Sequence, residues 1–128
     1  MPTPSPGRPR FLKLPSIRFP IGAFVSIGHR LSGVVLLIGL PFLAIALEQS
    51  LRSEADFAAL AAQWAGPWRS LLLVIVVWAA AHHILAGVRH LLMDLGIGST
   101  LTRARISAWA TIVTAALIAL SSAARWLS

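Results

Sequence analysis

Five ionisable residues lie within the apolar stretch WAAAHHILAGVRHLLMD, which covers residues 78–94. An ionisable group inside a membrane-length apolar helix is costly unless another group pairs with it or it binds a ligand. At 3.6 residues per turn, His83, Gly87 and His90 share one face, whereas His82 points about 100° away. Gly87 lacks a side chain where a flat ligand would approach the backbone. This arrangement fits a haem bound through His83. The five ionisable residues are His82, His83, Arg89, His90 and Asp94.

The composition places these residues in a small integral membrane protein. The chain has 128 residues, is 57% hydrophobic with a mean hydropathy of +0.80, and contains only four acidic residues. Its net charge of +7 does not indicate nucleic acid, because the arginines stand at the ends of apolar runs rather than in a patch with aromatics. The chain has no cysteine, which excludes disulfides and a thiol nucleophile. An iron–sulfur cluster held by cysteine must belong to a partner.

Three apolar runs predict an all-α membrane protein with transmembrane helices at about 21–47, 68–95 and 106–125. Pro41 is expected to kink the first helix, and Gly96 and Gly98 to end the second. Ser53 and Asp56 form a capping pair that predicts a short helix on the membrane surface between the first two spans.

The distribution of charge predicts the orientation of the chain. Basic residues accumulate near the N-terminus and in the segment with Arg103 and Arg105, which we expect to be a short cytoplasmic loop. The loop after the first span is acidic and therefore non-cytoplasmic. The N-terminus is predicted to be cytoplasmic and the C-terminus periplasmic.

Residues 1–20 form a basic segment that contains six of the eight prolines. Proline at this density resists regular helix and favours an extended arm. The segment resembles neither a signal peptide nor an amphipathic presequence. It is either a disordered cytoplasmic tail or an arm lying over partner subunits or lipid headgroups. Residues 21–128 are predicted to form one transmembrane anchor domain.

A second polar cluster precedes the apolar part of the first span. Ser26, His29, Arg30 and Gly33 are spaced by three, four and seven residues and share one helical face. In one interpretation, the arginine reaches lipid phosphate and the serine bonds its own backbone. In the other, the cluster binds a polar, partly buried ligand.

Depth in the membrane strengthens the case for a cofactor at His83. It lies 11 residues before Asp94, or about 16 Å along the helix axis, where no water is available. The alternative is a neutral histidine bonded to a neighbouring helix. His83 and His90 are about 10.5 Å apart along one helix, so they cannot be trans ligands of one iron, and a second histidine ligand would come from another chain. The residues placed to neutralise haem carboxylates at the inner end are His29, Arg30, Arg89 and His90.

Three motifs together resemble a known family. They are RFPI at residues 18–21, SIGHRLSG at 26–33 and HHILAGVRHLLMD at 82–94. The chain resembles, over nearly its whole length, the cytochrome b membrane-anchor subunit of succinate dehydrogenase, the respiratory complex II. It departs from the family pattern in a more arginine-rich opening segment and in Met93, where many members carry tryptophan.

The resemblance implies the roles of the site residues. His83, four residues before Gly87, is the axial haem b ligand and the metal-binding residue, and a sister anchor subunit that packs against this chain supplies the second ligand. Ser26 and Arg30 line the ubiquinone pocket next to the iron–sulfur subunit. The residues near the haem propionates include His29 and Arg30.

The function implied is that of an electron-transport subunit in the respiratory chain and tricarboxylic acid cycle. Succinate oxidation takes place on partners that carry the flavin and iron–sulfur clusters, so this chain is not by itself the enzyme for succinate. The alternatives are an anchor of a quinol:fumarate reductase, or a haem-free structural anchor or small transport subunit. The resemblance begins close to the N-terminus and leaves little length for an organelle presequence. It therefore favours the bacterial inner membrane over a mitochondrial one.

Overall fold

The computed structural model describes residues 19–126, which form four α-helices and no strand. Most of the basic arm, residues 1–18, lies outside the described residues. The helices are α1 (Ile21–Ser50), α2 (Glu54–Trp64), α3 (Pro67–Asp94) and α4 (Leu101–Trp126). Among them, α1, α3 and α4 are apolar enough to cross a membrane. With 26 to 30 residues, each is about 39–45 Å long, more than a hydrocarbon core of about 30 Å requires. The predicted all-helical fold with three spans is confirmed.

A short connection joins α1 to α2. Pro41 lies inside α1 without ending it, and α1 continues three residues beyond the predicted end at residue 47. Ser53 caps α2, because its Oγ accepts a hydrogen bond from the backbone N–H of Asp56 at 3.0 Å and donates to the Asp56 carboxylate at 2.8 Å. The predicted capping pair and the predicted short helix are both present.

The end of α3 is set by glycine. Gly96 has a φ of 78°, and the N–H of Ile97 bonds the carbonyl of Leu92 at 2.9 Å while that of Gly96 bonds Met93 at 2.9 Å. These two bonds satisfy carbonyls that the helix end would otherwise leave unpaired. The chain therefore reverses direction within a few residues.

This short turn corrects one prediction. Arg103 and Arg105 do not lie in a loop, because α4 begins at Leu101 and includes both. Gly98, with a φ of 73°, completes the reversal, and the carbonyl of Thr100 already accepts from Ala104 N at 2.8 Å. The helix thus starts about five residues earlier than the apolar run that was used to predict it.

Helix α3 lies between α1 and α4 and runs antiparallel to both. Close packing depends on small residues, while large apolar side chains such as Leu37, 75% exposed, face outward. The N-terminus of α1, the C-terminus of α3 and the N-terminus of α4 meet at one end. The buried small residues are Ser32 on α1, Ser70, Ala79 and Ala86 on α3, and Ala108, Thr111, Ala115 and Ala119 on α4.

Candidate functional site

The four histidines of the chain gather between α1 and α3, where glycines make room for their rings. A Cβ added at Gly28 would lie 2.6 Å from Nε2 of His82, and one added at Gly33 would lie 3.1 Å from Cε1 of His83. Both distances are shorter than ordinary van der Waals contact. The two adjacent histidines of α3 therefore fit against α1 because α1 carries glycine at both positions.

Gly87 lies against a third histidine. A Cβ at this position would lie 3.3 Å from Nε2 of His29, which reaches across from α1. The role of Gly87 in leaving space for a flat cofactor stays a prediction. The space over the glycine is filled by an imidazole of the same chain.

The hydrogen bonds of His83 define which of its nitrogens is free. Its Nδ1 lies 3.1 Å from the backbone carbonyl oxygen of His29 and 3.3 Å from Oγ of Ser32, while this hydroxyl donates to the same carbonyl at 2.9 Å. A carbonyl oxygen only accepts, so Nδ1 must carry the proton. The lone pair of the neutral ring is then on Nε2. This is the tautomer in which a histidine binds a metal while its other nitrogen is held by a carbonyl.

His82 is held in the opposite tautomer and is enclosed. It is 4% exposed, its Nε2 lies 3.4 Å from the carbonyl oxygen of Val25, and its ring stacks on Trp78 with centroids 5.4 Å apart. By the same argument, Nε2 carries the proton and Nδ1 the lone pair. Nδ1 is buried without a hydrogen-bond partner. An external ligand has no access to that nitrogen, so His83 is the better candidate ligand.

The ring of His29 connects two other predicted site residues. It stacks on His83 with centroids 4.2 Å apart and rings inclined by 20°, and it lies 5.4 Å from the ring of His90. The face shared by His83 and His90 is therefore a real feature of the structure. The three imidazoles form a row that runs from the middle of α3 towards the end where α3 meets α4.

Arg89 does not join this row. It is 8% exposed, and its guanidinium points to α4, where Nε donates to Oγ of Ser107 at 3.0 Å and Nη2 to the carbonyl of Ala104 at 3.1 Å. The structure therefore separates Arg89 from the histidines with which it was grouped. The cause is the pair of acceptors on α4, which lie within reach of its long side chain.

Ser26 and Arg30 lie one turn apart on α1. Arg30 is exposed and Ser26 is half-buried. Neither side chain makes a hydrogen bond or ion pair with another residue in the range 19–126. Both side chains are therefore accessible to a ligand or to another protein chain.

One residue of the candidate site is not among those predicted from the sequence. Ser32 is fully buried and bonds both the carbonyl of His29 and Nδ1 of His83. The spacing of Gly28 and Ser32, two small residues separated by three, is a signal of close helix packing that could have identified it.

The donor set fits a haem at the edge of this chain. His83 is half-buried rather than enclosed, its tautomer is fixed, and its Nε2 is not used by a bond within the described residues. His29 and His90 supply further polar groups on the same side. This chain offers one ligand at that level, so a six-coordinate iron needs a second from a partner.

Comparison with known proteins agrees with these features. The model of the family described as succinate dehydrogenase/fumarate reductase transmembrane subunit matches residues 4–122. The chain is 36% identical over 121 residues to the succinate dehydrogenase cytochrome b556 subunit of Coxiella burnetii, covering 94% of this chain and 96% of the relative. It is 32% identical over 114 residues to the subunit of the same name from Paracoccus denitrificans, covering 88% and 86%.

Proposed function

The chain belongs to the succinate dehydrogenase/fumarate reductase transmembrane subunit family, and from this premise we propose that it is the haem b anchor of a succinate:ubiquinone oxidoreductase. It is a multi-pass protein of the bacterial inner membrane that associates with the other subunits of complex II. The observation that supports the haem proposal best is the tautomer of His83, which leaves Nε2 available for iron.

His83 would hold the haem iron from this chain, and a sister anchor subunit would supply the second ligand. When bound, the haem supplies a one-electron store beside the quinone. The carbonyl of His29 and the hydroxyl of Ser32 orient the ring of His83 through Nδ1. Nearer the end of α3, His29, Arg30 and His90 interact with the haem carboxylates. Arg89 is left out of this set because its guanidinium is bonded to α4.

Ser26 and Arg30 bind ubiquinone. Reduction places negative charge on the quinone oxygens, and a hydroxyl and a guanidinium at this point donate hydrogen bonds that become stronger as the charge develops. Electrons arrive from the iron–sulfur subunit, since this chain has no cysteine to hold a cluster. The exposed position of Arg30 supports a pocket completed by that partner.

The orientation we propose places the quinone site at the cytoplasmic side. Arg103 and Arg105 lie at the same end of the molecule as the start of α1, whereas Glu48, Glu54 and Asp56 lie at the other end. An excess of arginine marks the cytoplasmic side of a membrane protein.

Deletion of this chain from its host tests the proposal. Membranes should lose succinate-dependent reduction of a soluble ubiquinone analogue, and flavoprotein activity should move to the soluble fraction. Expression of the chain with an affinity tag should restore both and co-purify the flavoprotein and iron–sulfur subunits. Normal membrane-bound quinone reduction without the chain would contradict the proposal.

A further inference from the structure

A cavity of about 360 Å³ lies between the last turns of α3 and the first turns of α4. Most of its wall is apolar, with side chains that include Val88, Leu92 and Ile106. Its polar part is contributed by Arg89, Arg103 and Ser107. The cavity thus combines an apolar wall with the side chains of two arginines.

The charge of Arg89 is not neutralised by any carboxylate side chain of the chain. The side chain is more than nine-tenths buried, and its two hydrogen bonds go to the neutral acceptors Ser107 and Ala104. Its Nη1 has no hydrogen-bond partner in the part of the chain that the structure describes. Every acidic side chain of the protein lies within that part, and the ion pair found there joins Arg52 to Glu48. Asp94, the carboxylate nearest in sequence, is exposed and pairs with neither Arg89 nor Arg103.

We propose that this cavity binds an anionic phospholipid of the cytoplasmic leaflet, with its phosphate between Arg89 and Arg103 and an acyl chain along the apolar wall. Neutral acceptors satisfy only part of the donor capacity of Arg89. An anionic lipid supplies a negative charge at this depth together with an apolar chain. A small soluble anion would leave the apolar wall unfilled. The inference rests on the proposed orientation, because the cavity must face the cytoplasmic leaflet, but it requires neither haem nor quinone.

The test compares lipid retention by the purified complex of all subunits. The complex is exchanged into detergent with equal amounts of phosphatidylglycerol and phosphatidylcholine, and the bound lipids are counted by native mass spectrometry. The wild-type complex should retain phosphatidylglycerol in preference to phosphatidylcholine. In Arg103→Gln the preference should fall about fivefold, which is the effect of one arginine near an anionic surface. The matched control is Arg125→Gln at the other end of α4, which removes the same charge and should change nothing.

A second variant tests the apolar part of the site. Val88→Trp places a large side chain at the cavity wall from a position that is 51% exposed, so the fold can accommodate it. It should reduce retention of phosphatidylglycerol while leaving both arginines in place. If inorganic phosphate alone displaced the lipid, the acyl chain would contribute nothing to binding. That result would contradict a lipid site.

Three other results would overturn the inference. The first is equal retention of the two lipids by the wild type. The second is unchanged retention in both variants. The third is release of a partner subunit by Arg103→Gln with no change in bound lipid, which would assign the cavity to an acidic segment of that partner. A complex that lacks haem but retains phosphatidylglycerol would contradict the proposed cytochrome function and support this inference, so the two failures are distinguishable.

Discussion

Nδ1 of His83 lies 3.1 Å from the backbone carbonyl oxygen of His29 and thereby joins the middle of α3 to α1. The neighbouring residue His82 makes a similar contact to the carbonyl of Val25, one turn earlier on α1. The two histidines contact successive turns of α1, and they do so in opposite tautomers. The orientation of the proposed haem ligand therefore depends on the position of α1 relative to α3.

Gly28→Ala should disturb this interface strongly. The added Cβ would meet Nε2 of His82 at 2.6 Å, and because that ring is buried against Trp78 it cannot move freely. We expect the complex to be destabilised by about 1–3 kcal/mol, the usual range for overpacking a close contact. The measurement is the temperature at which the purified complex loses haem absorption. Gly39→Ala is the matched control on α1, since its Cβ would lie at an ordinary 3.7 Å from Val76.

A double variant gives this prediction a further test. Adding His82→Ala to Gly28→Ala removes the ring that the new methyl group meets, so part of the lost stability should return. If the double variant were as unstable as the sum of the two single variants, the contact between Gly28 and His82 would not be the cause.

Arg30→Ala should impair ubiquinone reduction while sparing succinate oxidation assayed with an artificial acceptor. Loss of a hydrogen bond from a charged donor costs about 1.5–3 kcal/mol, which corresponds to a rate about tenfold lower or more. Arg52→Ala is the control, because Arg52 pairs with Glu48 on an exposed surface at the other end. Equal loss of both activities in Arg30→Ala would contradict a role in the quinone site.

The packing of α3 against α4 predicts that substitutions at two alanines of α4 differ strongly in their effect on stability. Ala115 is fully buried, whereas Ala110 is exposed. Ala115→Leu should destabilise the complex by about 1–3 kcal/mol, because the small-residue interface has no room for the larger side chain. Ala110→Leu should have little effect. Thermal dissociation of the complex in detergent measures both, and similar midpoints would argue against the observed packing.

The sequence predicted the spans well because their signals are local. Apolar length defined α1 and α3 to within three residues, the capping pair Ser53 and Asp56 predicted α2, and Gly96 predicted the end of α3. The start of α4 was misplaced because apolarity begins only at Ile106, whereas the helix itself includes the two arginines before it. A helix end that lies outside the apolar run gives no signal in hydropathy.

The contacts between helices were harder to predict. The periodicity of α3 placed His83, Gly87 and His90 on one face, but it gave no information on which residues of α1 would meet them. That His29 fills the space over Gly87, and that Arg89 bonds α4, depends on helix register and on the reach of long side chains. A sequence fixes neither of these locally.

The most direct test of the account is a dithionite-reduced minus oxidised absorption spectrum of membranes that contain the whole complex. Wild type, His83→Ala and His82→Gln are compared at equal subunit content, measured by immunoblot. We expect a b-type haem signal in the wild type and in His82→Gln, and its loss or a marked shift in His83→Ala. A signal unchanged in His83→Ala would move the ligand to another residue, and no signal in the wild type would leave a haem-free anchor.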